Sequence, residues 1–370
     1  MRPKIIVSTI IDSHNYGTVL QAVATNDALM PYGDPFFVDY CRPQCTRREW
    51  RRGQLRNPNF LKGLCILVAK YPVWIKSEGI FRSFVEEHLS LIDSAPFING
   101  GHFDKKAVYC VGSDQTWNIE CNNGIDPVYF LQKVPGDCKK ISFSASFGRP
   151  ALDEAESALT KPLLEPFSAI SVRESSSVSI LENMGLRGIA LKDPVLLCRP
   201  ELWHELAAHV PASTESYVLV YMLNQNSAMC SFARMLAERE GMRARIVTFN
   251  PLKRAPEGLD AACLPKPEEW VALFRDASYV VTDSFHGTCF SLLFEHPMIV
   301  FDPPKFSVRL KDVLSDFGLA DRRVAEGCNP MHIAAEPIDW DSVRTKKEEF
   351  SGEAKAFLDG VFGVSARAGV

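Results

Sequence analysis

The stretch Val280–Phe301, "VVTDSFHGTCFSLLFEHPMIVF", reads as a buried strand, a polar junction, a short helix and a second buried strand. An apolar strand that leads directly into a helix is typical of a parallel sheet covered by helices on both faces. The stretch therefore predicts an α/β domain whose polar residues lie where a strand ends at a helix. Four polar side chains lie within six residues of that junction: Asp283, Ser284, His286 and Thr288.

Apolar runs of strand length recur along the chain, and helical patterns separate many of them. Strands that alternate with helices predict parallel sheets, and the rhythm restarts after Asp193 and Pro194. We expect two Rossmann-like, doubly wound domains over 1–193 and 194–337, with a helical tail over 338–370 that packs back across the domain boundary. The strand candidates are 4–10, 36–40, 107–112, 139–148, 169–174, 188–193, 217–223, 244–249, 279–283 and 298–301, and the clearest helical patterns are 228–240 and 267–277.

The bulk composition is that of an ordinary globular protein, with 46% hydrophobic and 23% charged residues and a net charge of −4 over 370 residues. These values exclude global disorder and nucleic-acid binding through overall charge. The apolar run 4–10 lacks a signal-peptide cleavage pattern, and no run approaches the roughly 18 apolar residues of a spanning helix. We expect a cytoplasmic protein.

Several of the eleven cysteines lie in apolar runs, which predicts buried, reduced thiols. Cys41 and Cys45 lack the second pair that a zinc site needs.

The segment 42–82 differs from the rest of the chain because it holds ten basic residues against two acidic ones, a net charge of +8. It can be interpreted as a solvated helical excursion whose aromatic residues pack on the domain. It can also be interpreted as a surface for anionic lipid or for a pyrophosphate-linked substrate, at the inner face of a membrane. No other feature supports nucleic acid as a partner. The basic residues are Arg42, Arg47, Arg48, Arg51, Arg52, Arg56, Lys62, Lys70, Lys76 and Arg82; the acidic ones are Glu49 and Glu78; the aromatic ones are Trp50, Phe60, Tyr71, Trp74 and Phe81.

Two polar junctions follow predicted strands of the N-terminal half. Ligands of open α/β sheets bind beyond the carboxyl ends of the strands, so these junctions are candidate sites. In 10–22, Asp12 follows the first strand and Gly17 opens a helix, where glycine permits a ligand close to backbone N–H groups. An ordinary N-cap turn is the alternative. In 109–118, "YCVGSDQTWN", a carboxylate, amides and an indole suit a sugar, and a helix cap with a core Trp117 is the alternative.

Two further junctions offer cationic groups. Arg173 lies at a strand end immediately before a helix and could hold a phosphate or carboxylate bidentately, while a structural pair with Glu174 is the alternative. In the opening stretch, Asp283 or Ser284 can cap the helix that follows. That helix N-terminus favours an anion, and His286 can add charge or a proton, although a lone histidine at a turn is commonly structural.

At these junctions the sequence resembles the polysaccharide pyruvyl transferase family. The matches run in family order over nearly the whole chain, and "VGSDQTWN" and "TDSFHG" are the specific ones. The resemblance implies two Rossmann-like domains facing a cleft, similar to GT-B glycosyltransferases. The matching motifs are "NYGTVLQA" (15–22), "VGSDQTWN" (111–118), "ISFSASFG" (141–148), "ISVRE" (170–174), "LKDPVLL" (191–197), "TDSFHGTCFSLLF" (282–294) and "FSVRLKDVL" (306–314).

The resemblance also implies an activity, the transfer of pyruvate from phosphoenolpyruvate onto a sugar as a ketal bridging two hydroxyls. We expect the sugar to belong to a polysaccharide or to its lipid-linked precursor. His286 is the candidate acid, and Asp114 and Asp12 are candidates for deprotonating or positioning the acceptor. Protonation of an enol ether needs no Lewis acid, so we expect no metal and no cofactor besides the donor. The expected donor-binding residues are Arg173, Ser284, His286, Gly287, Thr288 and Arg309. The expected acceptor-binding residues are Asn15, Tyr16, Gly17, Ser113, Asp114, Gln115, Trp117 and Asn118.

Two other functions fit the same pattern. A GT-B glycosyltransferase that uses a nucleotide sugar would have the same polar strand ends, and only the identity of the donor would distinguish it. A carbohydrate-binding protein without catalytic activity would account for 111–118 but gives Arg173 and His286 no function. A dinucleotide-dependent oxidoreductase is not expected, because neither half contains the glycine fingerprint.

Overall fold

The computed structural model describes residues 2–56, 58–251, 253–304, 308–325 and 328–364. The side chains of Phe60 and Lys62, the first two residues of the motif at 306–314 and the last six residues of the predicted tail lie outside the described part. The chain forms two compact units: unit 1 comprises Met1–Arg199 and Glu348–Val370, and unit 2 comprises Pro200–Lys347. In sequence, unit 1 is interrupted shortly after the predicted boundary at Asp193.

Unit 1 contains a five-stranded sheet in the order β3-β2-β1-β4-β5, and every neighbouring pair in it is parallel. A small parallel sheet of β6 and β7 continues beside it, linked by isolated bridges such as Ile141 to Ala169. The strands are β1 Lys4–Ser8, β2 Asp34–Asp39, β3 Leu91–Asp93, β4 Val108–Val111, β5 Lys139–Ser142, β6 Ser171–Val172 and β7 Ile189–Ala190. The helices are α1 Tyr16–Leu29, α2 Arg47–Leu55, α3 Phe60–His88, α4 Ala95–Asn99, α5 Glu154–Leu164, α6 Ser175–Asn183 and α7 Pro194–Leu197.

Unit 2 contains a six-stranded parallel sheet in the order β10-β9-β8-β11-β12-β13. Its strands are β8 Tyr217–Tyr221, β9 Arg243–Thr248, β10 Asp260–Cys263, β11 Tyr279–Thr282, β12 Met298–Phe301 and β13 Arg323–Val324. The helices are α8 Glu201–Leu206, α9 Ser227–Glu240, α10 Pro267–Arg275, α11 Phe285–Leu293, α12 Val308–Asp316, α13 Pro330–Ala335 and α14 Trp340–Phe362, of which the residues from Glu348 onward belong to unit 1.

The central strands explain why the α/β prediction is confirmed. Every residue of β4, β8 and β12 is buried, because helices cover both faces of each parallel sheet. Such strands appear in a sequence as continuous apolar runs of four to five residues, as in Tyr217–Tyr221. The short helix predicted after β11 is α11, so the opening stretch folds as strand, junction, helix and strand.

The strand order gives each unit a switch point, the place where the order of the strands reverses. It lies between β1 and β4 in unit 1 and between β8 and β11 in unit 2. Ligands of open α/β sheets bind beyond the carboxyl ends of the strands at such points. The polar junctions after β1, β4 and β11 therefore occupy the positions where this fold is suited to hold a ligand.

Two predictions from composition can be compared with the described residues. None of the described helices has the length and apolarity required to cross a bilayer. The eleven cysteines form no disulfide, and Cys110, Cys138, Cys198, Cys230 and Cys289 are buried.

Candidate functional sites at the two switch points

Asn15 caps α1 at the first junction of unit 1. Its Oδ1 accepts a hydrogen bond from the Gly17 N–H at 2.9 Å, while Tyr16 and Gly17 are buried. The Tyr16 ring lies 5.0 Å from the Phe81 ring of α3, so the start of α1 is fixed by packing as well as by the cap. The structure thus forms the N-cap turn, and a sugar contact by these residues stays a prediction.

Asp12 is held by Arg42 at the same junction. The Arg42 guanidinium donates to both carboxylate oxygens at 2.8–3.1 Å, and its backbone N–H donates to Oδ2 at 2.7 Å. Both side chains are over 90% buried. Burial alone would lower the pKa of Arg42, but the hydrogen bonds and the charge of Asp12 raise it above its ordinary value. This geometry favours a positioning function for Asp12, because its lone pairs are already engaged.

Asp114, after β4, has a backbone conformation that is unusual for a residue other than glycine. Its φ is +73°, in the left-handed region, where a side chain costs about 1–2 kcal/mol. Thr18 donates to its Oδ2 at 2.9 Å, and the Gln115 N–H donates to its Oδ1 at 2.8 Å. Strain of this kind, held in place by surrounding contacts, is concentrated at functional sites. Asp114 is therefore the best-placed candidate of unit 1.

Arg173 lies in a buried network of carboxylates. Its side chain is 1% exposed and donates to Asp193 at 2.8 Å and to Glu174 at 3.0 Å, with Asp114 Oδ1 at 3.8 Å. Burial alone would lower the pKa of Arg173, but the three carboxylates raise it above its ordinary value. Ser113 Oγ donates to Asp193 at 3.1 Å, which joins the "VGSDQTWN" motif to the network. The structural pair with Glu174 is thus formed, and Arg173 orients carboxylates at the switch point.

Trp117 lies in the core of unit 1. Its ring is 1% exposed and its Nε1–H donates to the backbone oxygen of Tyr129 at 3.0 Å. Phe130, Phe147 and Phe167 lie around the indole with ring centroids 5.3–5.9 Å away. Stacking on a sugar needs an accessible ring face, so this packing favours the core tryptophan over direct acceptor contact.

Gln115 and Asn118 form a polar pair at this junction. Asn118 Nδ2 donates to Gln115 Oε1 at 2.6 Å, and Gly148 lies against both side chains. A Cβ at Gly148 would overlap both amides, and its φ of +65° also requires glycine. The sequence reasoning did not include Gly148 among the site residues, although the glycine that closes "ISFSASFG" was the available signal.

Ser284 is the N-cap of α11 in unit 2, and its Oγ accepts from the Gly287 N–H at 3.3 Å. Asp283 has a different function from the cap that the sequence also allowed. Its carboxylate accepts from the backbone N–H groups of Leu223 and Asn224 at 2.7 and 2.9 Å. Asp283 thereby holds the segment after β8 beside the start of α11, on the two sides of the switch point. Thr288 Oγ1 donates to the backbone carbonyl oxygen of Ser284 at 3.1 Å and reinforces the first turn.

Gly287 allows α11 to pack closely on the sheet. A Cβ at this position would overlap Thr282 Oγ1 and would lie 3.1 Å from the Tyr221 ring. Thr282 Oγ1 donates to the backbone carbonyl oxygen of Tyr221 at 2.7 Å and accepts from the Ser284 N–H at 3.0 Å. The glycine of "TDSFHG" is therefore explained by packing at the junction of β8, β11 and α11.

His286 and Arg309 both contact one aromatic residue, Phe285. The His286 ring contacts the Phe285 ring edge-on with centroids 5.1 Å apart, and the Arg309 guanidinium lies 5.7 Å from the centre of the same ring. His286 is 6% exposed and Arg309 is half-buried. A permanently charged guanidinium, an imidazole and the N-terminus of a nine-residue helix thus lie together, an arrangement that favours an anion.

Comparisons with known proteins agree with this architecture. No curated protein matches the chain. The glycotransferase of kitacinnamycin superposes with a TM-score of 0.51 at 10% identity, over 98% of this chain and 100% of that one. A UDP-N-acetylglucosamine 2-epimerase gives 0.52 at 10% identity, over 100% and 99%. A putative UDP-N-acetylglucosamine 2-epimerase from Listeria monocytogenes gives 0.50 at 10% identity, over 99% and 98%.

These similarities confirm the predicted GT-B-like class with two Rossmann-like domains, and at such low identity they concern the fold alone. The family model for polysaccharide pyruvyl transferases matches residues 15–304. That range includes both switch points, from the Asn15 cap of α1 to the α11 junction. The chain belongs to the polysaccharide pyruvyl transferase family.

Proposed function

We propose that this protein transfers pyruvate from phosphoenolpyruvate to a sugar of a polysaccharide or of its lipid-linked precursor, and that the product is a pyruvyl ketal. The observation that supports this donor best is the start of α11, where His286 and Arg309 lie around Phe285 at the switch point of unit 2. Phosphoenolpyruvate has a phosphate and a carboxylate, and a helix N-terminus with adjacent cations favours such a ligand.

In the proposed donor site, His286 and Arg309 contact the anionic groups. Thr288 keeps the first turn of α11 in shape through its hydrogen bond to the Ser284 backbone oxygen, and Ser284 presents its hydroxyl proton to the phosphate. The Gly287 N–H already donates to Ser284, so Gly287 contributes by letting the helix start close to the sheet. The site is thus a short turn at which the His286 imidazole and the Arg309 guanidinium both contact the Phe285 ring.

The reaction requires a proton at the methylene carbon of the donor, and His286 is the proposed acid. The C2 centre then becomes oxocarbenium-like, and a sugar hydroxyl attacks it to form a new C–O bond. Phosphate leaves with the C2–O bond electrons, and a second hydroxyl attacks C2 to close the ketal. Of the two hydroxyl protons, one balances the proton given to the methyl group and the other is taken up by phosphate. General acid and base groups of this kind contribute about 10²- to 10⁴-fold each.

Asp114 is the proposed group in unit 1 that positions or deprotonates the acceptor hydroxyl. Its strained backbone and its bonds to Thr18 and Gln115 hold the carboxylate in one orientation. Arg173 was expected to contact the donor, and in this proposal its carboxylate network orients Asp114. Asp12 positions the same junction through Arg42. The acceptor contacts proposed beside Asp114 are Asn15, Tyr16, Gly17, Ser113, Gln115 and Asn118, with Trp117 as their support from the core.

The donor proposal can be tested by calorimetry with the whole chain and phosphoenolpyruvate. We expect His286→Gln to weaken binding about 10- to 100-fold, since a charge-assisted hydrogen bond contributes about 1.5–3 kcal/mol. The matched control is His209→Gln, which alters an exposed histidine of the same unit. Unchanged binding in His286→Gln would remove His286 from the donor site.

Calorimetry also distinguishes the two candidate donors, phosphoenolpyruvate and a nucleotide sugar. A nucleotide sugar that binds and raises the melting temperature, with no effect of phosphoenolpyruvate, would indicate a glycosyltransferase instead. Phosphate release from phosphoenolpyruvate in the presence of free and lipid-linked galactosides, mannosides and glucosamine derivatives then identifies the acceptor. No release with any acceptor, despite donor binding, would contradict catalysis.

A further inference from the structure

Helix α3 exposes a continuous apolar face to solvent. Positions 61, 64, 68 and 75 are three, four and seven residues apart, a spacing that places them on one side of a helix. Leu61 is 73% exposed and Val68 is 71% exposed. The opposite side contains the buried Ser77, Phe81 and Phe84. The exposed residues of the apolar face are Leu61, Leu64, Cys65, Val68, Pro72, Ile75 and Gly79.

Packing within unit 1 orients this face outward. Trp50 of α2 stacks on Tyr71 and Trp74 of α3, with ring centroids 5.8 and 5.7 Å apart. The His14 ring lies 5.0 Å from Trp74 and 6.0 Å from Phe81. Among the described side chains of the segment, Trp50, Tyr71, Trp74 and Phe81 thus pack toward the unit, as one interpretation of the sequence expected. The exposed aliphatic residues of α3 lie on the side opposite the buried Ser77, Phe81 and Phe84, and aliphatic surface grouped in this way marks an interaction site.

Ion pairs divide the basic residues of the segment into two groups. Those of the first group have carboxylate partners: Arg42 pairs with Asp12, Arg47 with Glu78, Arg52 with Glu49, and Arg82 with Asp39 and Glu86. Those of the second group have no carboxylate within 4.0 Å among the described residues: Arg48, Arg51, Arg56, Lys70 and Lys76. Arg51 lies 5.8 Å from the centre of the Tyr71 ring, so at least one of these charges is held beside α3. The surplus positive charge of the segment therefore lies on the same helices as the exposed apolar face and in the turn between them.

We propose that the α2–α3 surface, formed by this apolar face and the five basic residues of the second group, docks on an anionic phospholipid bilayer. The apolar side chains would enter the boundary of the acyl chains while the arginines and lysines contact the lipid phosphates. A second copy of the chain fits less well, because it would place the same positive charges against each other. Docking is independent of the proposed pyruvyl transfer, since it needs neither donor nor acceptor.

The test is flotation of the whole chain with vesicles of phosphatidylcholine alone or mixed with phosphatidylglycerol. We expect binding only to the mixed vesicles, and weaker binding as salt rises. Arg48→Ser/Arg51→Ser/Arg56→Ser should lower the affinity about 100-fold, since each basic residue near an anionic surface contributes roughly fivefold. The charge-matched control changes three exposed basic residues elsewhere in unit 1, Lys106→Ser/Lys133→Ser/Arg187→Ser.

The apolar face is tested separately. Leu61→Asp/Val68→Asp should lower vesicle affinity at least about tenfold, because two side chains that would be buried in the bilayer become charged. Leu159→Asp on α5 is the control, since Leu159 is 62% exposed and lies outside this surface. Absence of wild-type flotation, or equal loss in the variants and their controls, would overturn the proposal. A wild-type dimer in light scattering that does not bind vesicles would also overturn it, if Leu61→Asp/Val68→Asp converts that dimer to a monomer.

Discussion

The two switch points of this chain differ in how their polar residues are occupied. In unit 1, Arg173 is enclosed by three carboxylates, and Asp12 is bound by Arg42. In unit 2, Asp283 accepts from backbone N–H groups, and the His286 imidazole and the Arg309 guanidinium lie beside a helix N-terminus. The junction of unit 1 is therefore rich in fixed negative charge, while the junction of unit 2 is suited to bind an anionic ligand. Motifs of one family thus mark two electrostatically opposite sites.

The largest expected effect comes from Arg173→Met. Removing this buried guanidinium leaves Asp114, Glu174 and Asp193 without their shared cation, which should lower the free energy of unfolding by about 3–5 kcal/mol. Urea denaturation of the purified chain measures the loss. The control is Arg199→Met, which breaks the half-exposed pair with Asp27 and should cost at most about 1 kcal/mol. Full stability of Arg173→Met, with loss of donor binding, would instead favour direct contact with the donor.

Gly287→Ala examines the packing of the unit 2 junction. The added Cβ overlaps Thr282 and approaches Tyr221. We therefore expect the free energy of unfolding of unit 2 to fall by about 1–3 kcal/mol. Gly352→Ala is the control in α14, where nothing lies within 4 Å of the added atom and helix propensity predicts a gain of about 0.5–1 kcal/mol. Equal stabilities of the two variants would contradict this prediction. They would show that α11 can move away from β11 far enough to accommodate the added Cβ.

The smallest effect concerns pH and His14, the histidine of the β1 junction. Burial lowers the pKa of His14, although Glu78 and Asp12 act in the opposite direction. Because the folded pKa is below the unfolded value near 6.5, folding opposes protonation, and stability falls as pH decreases through 6.5 toward the folded pKa. We expect His14→Gln to flatten the dependence of the melting temperature on pH in this window. His102→Gln, at an exposed site, should leave that dependence unchanged. A wild-type slope in His14→Gln would contradict this environment for His14.

The sequence predicted the long central strands well because burial on both faces demands continuous apolar residues. It missed β3, β10 and β13, which have two to four residues and lie at sheet edges, where little apolar area is needed. Strands are predicted over 169–174 and 188–193, but the strands observed there, β6 and β7, have only two residues each. Serine side chains replace part of the ladder between β5 and β6, since Ser142 and Ser171 exchange hydrogen bonds between hydroxyl and backbone groups.

The candidate site was only partly predictable for a different physical reason. Motif spacing locates strand ends, so Asp114, Ser284 and His286 were found at junctions. Spacing does not reveal which charges meet in three dimensions, because the partners of Arg173 are up to 59 positions away in the chain. The pair of Asp12 with Arg42 was missed for the same reason. Burial of Trp117 follows from the packing of three phenylalanines that the local motif does not contain.

The pair of Asp12 with Arg42 joins the β1 junction to the first residue of the segment 42–82. The pair provides a structural route for thermodynamic linkage between the proposed bilayer docking and the proposed acceptor binding. If bilayer docking changes the conformational freedom of that segment, it also changes the free energy of holding Asp12 in place. Reciprocity then requires that an acceptor bound at the junction alters vesicle affinity by the same factor. In that case, the affinity of the protein for vesicles would depend on whether the proposed acceptor site is occupied.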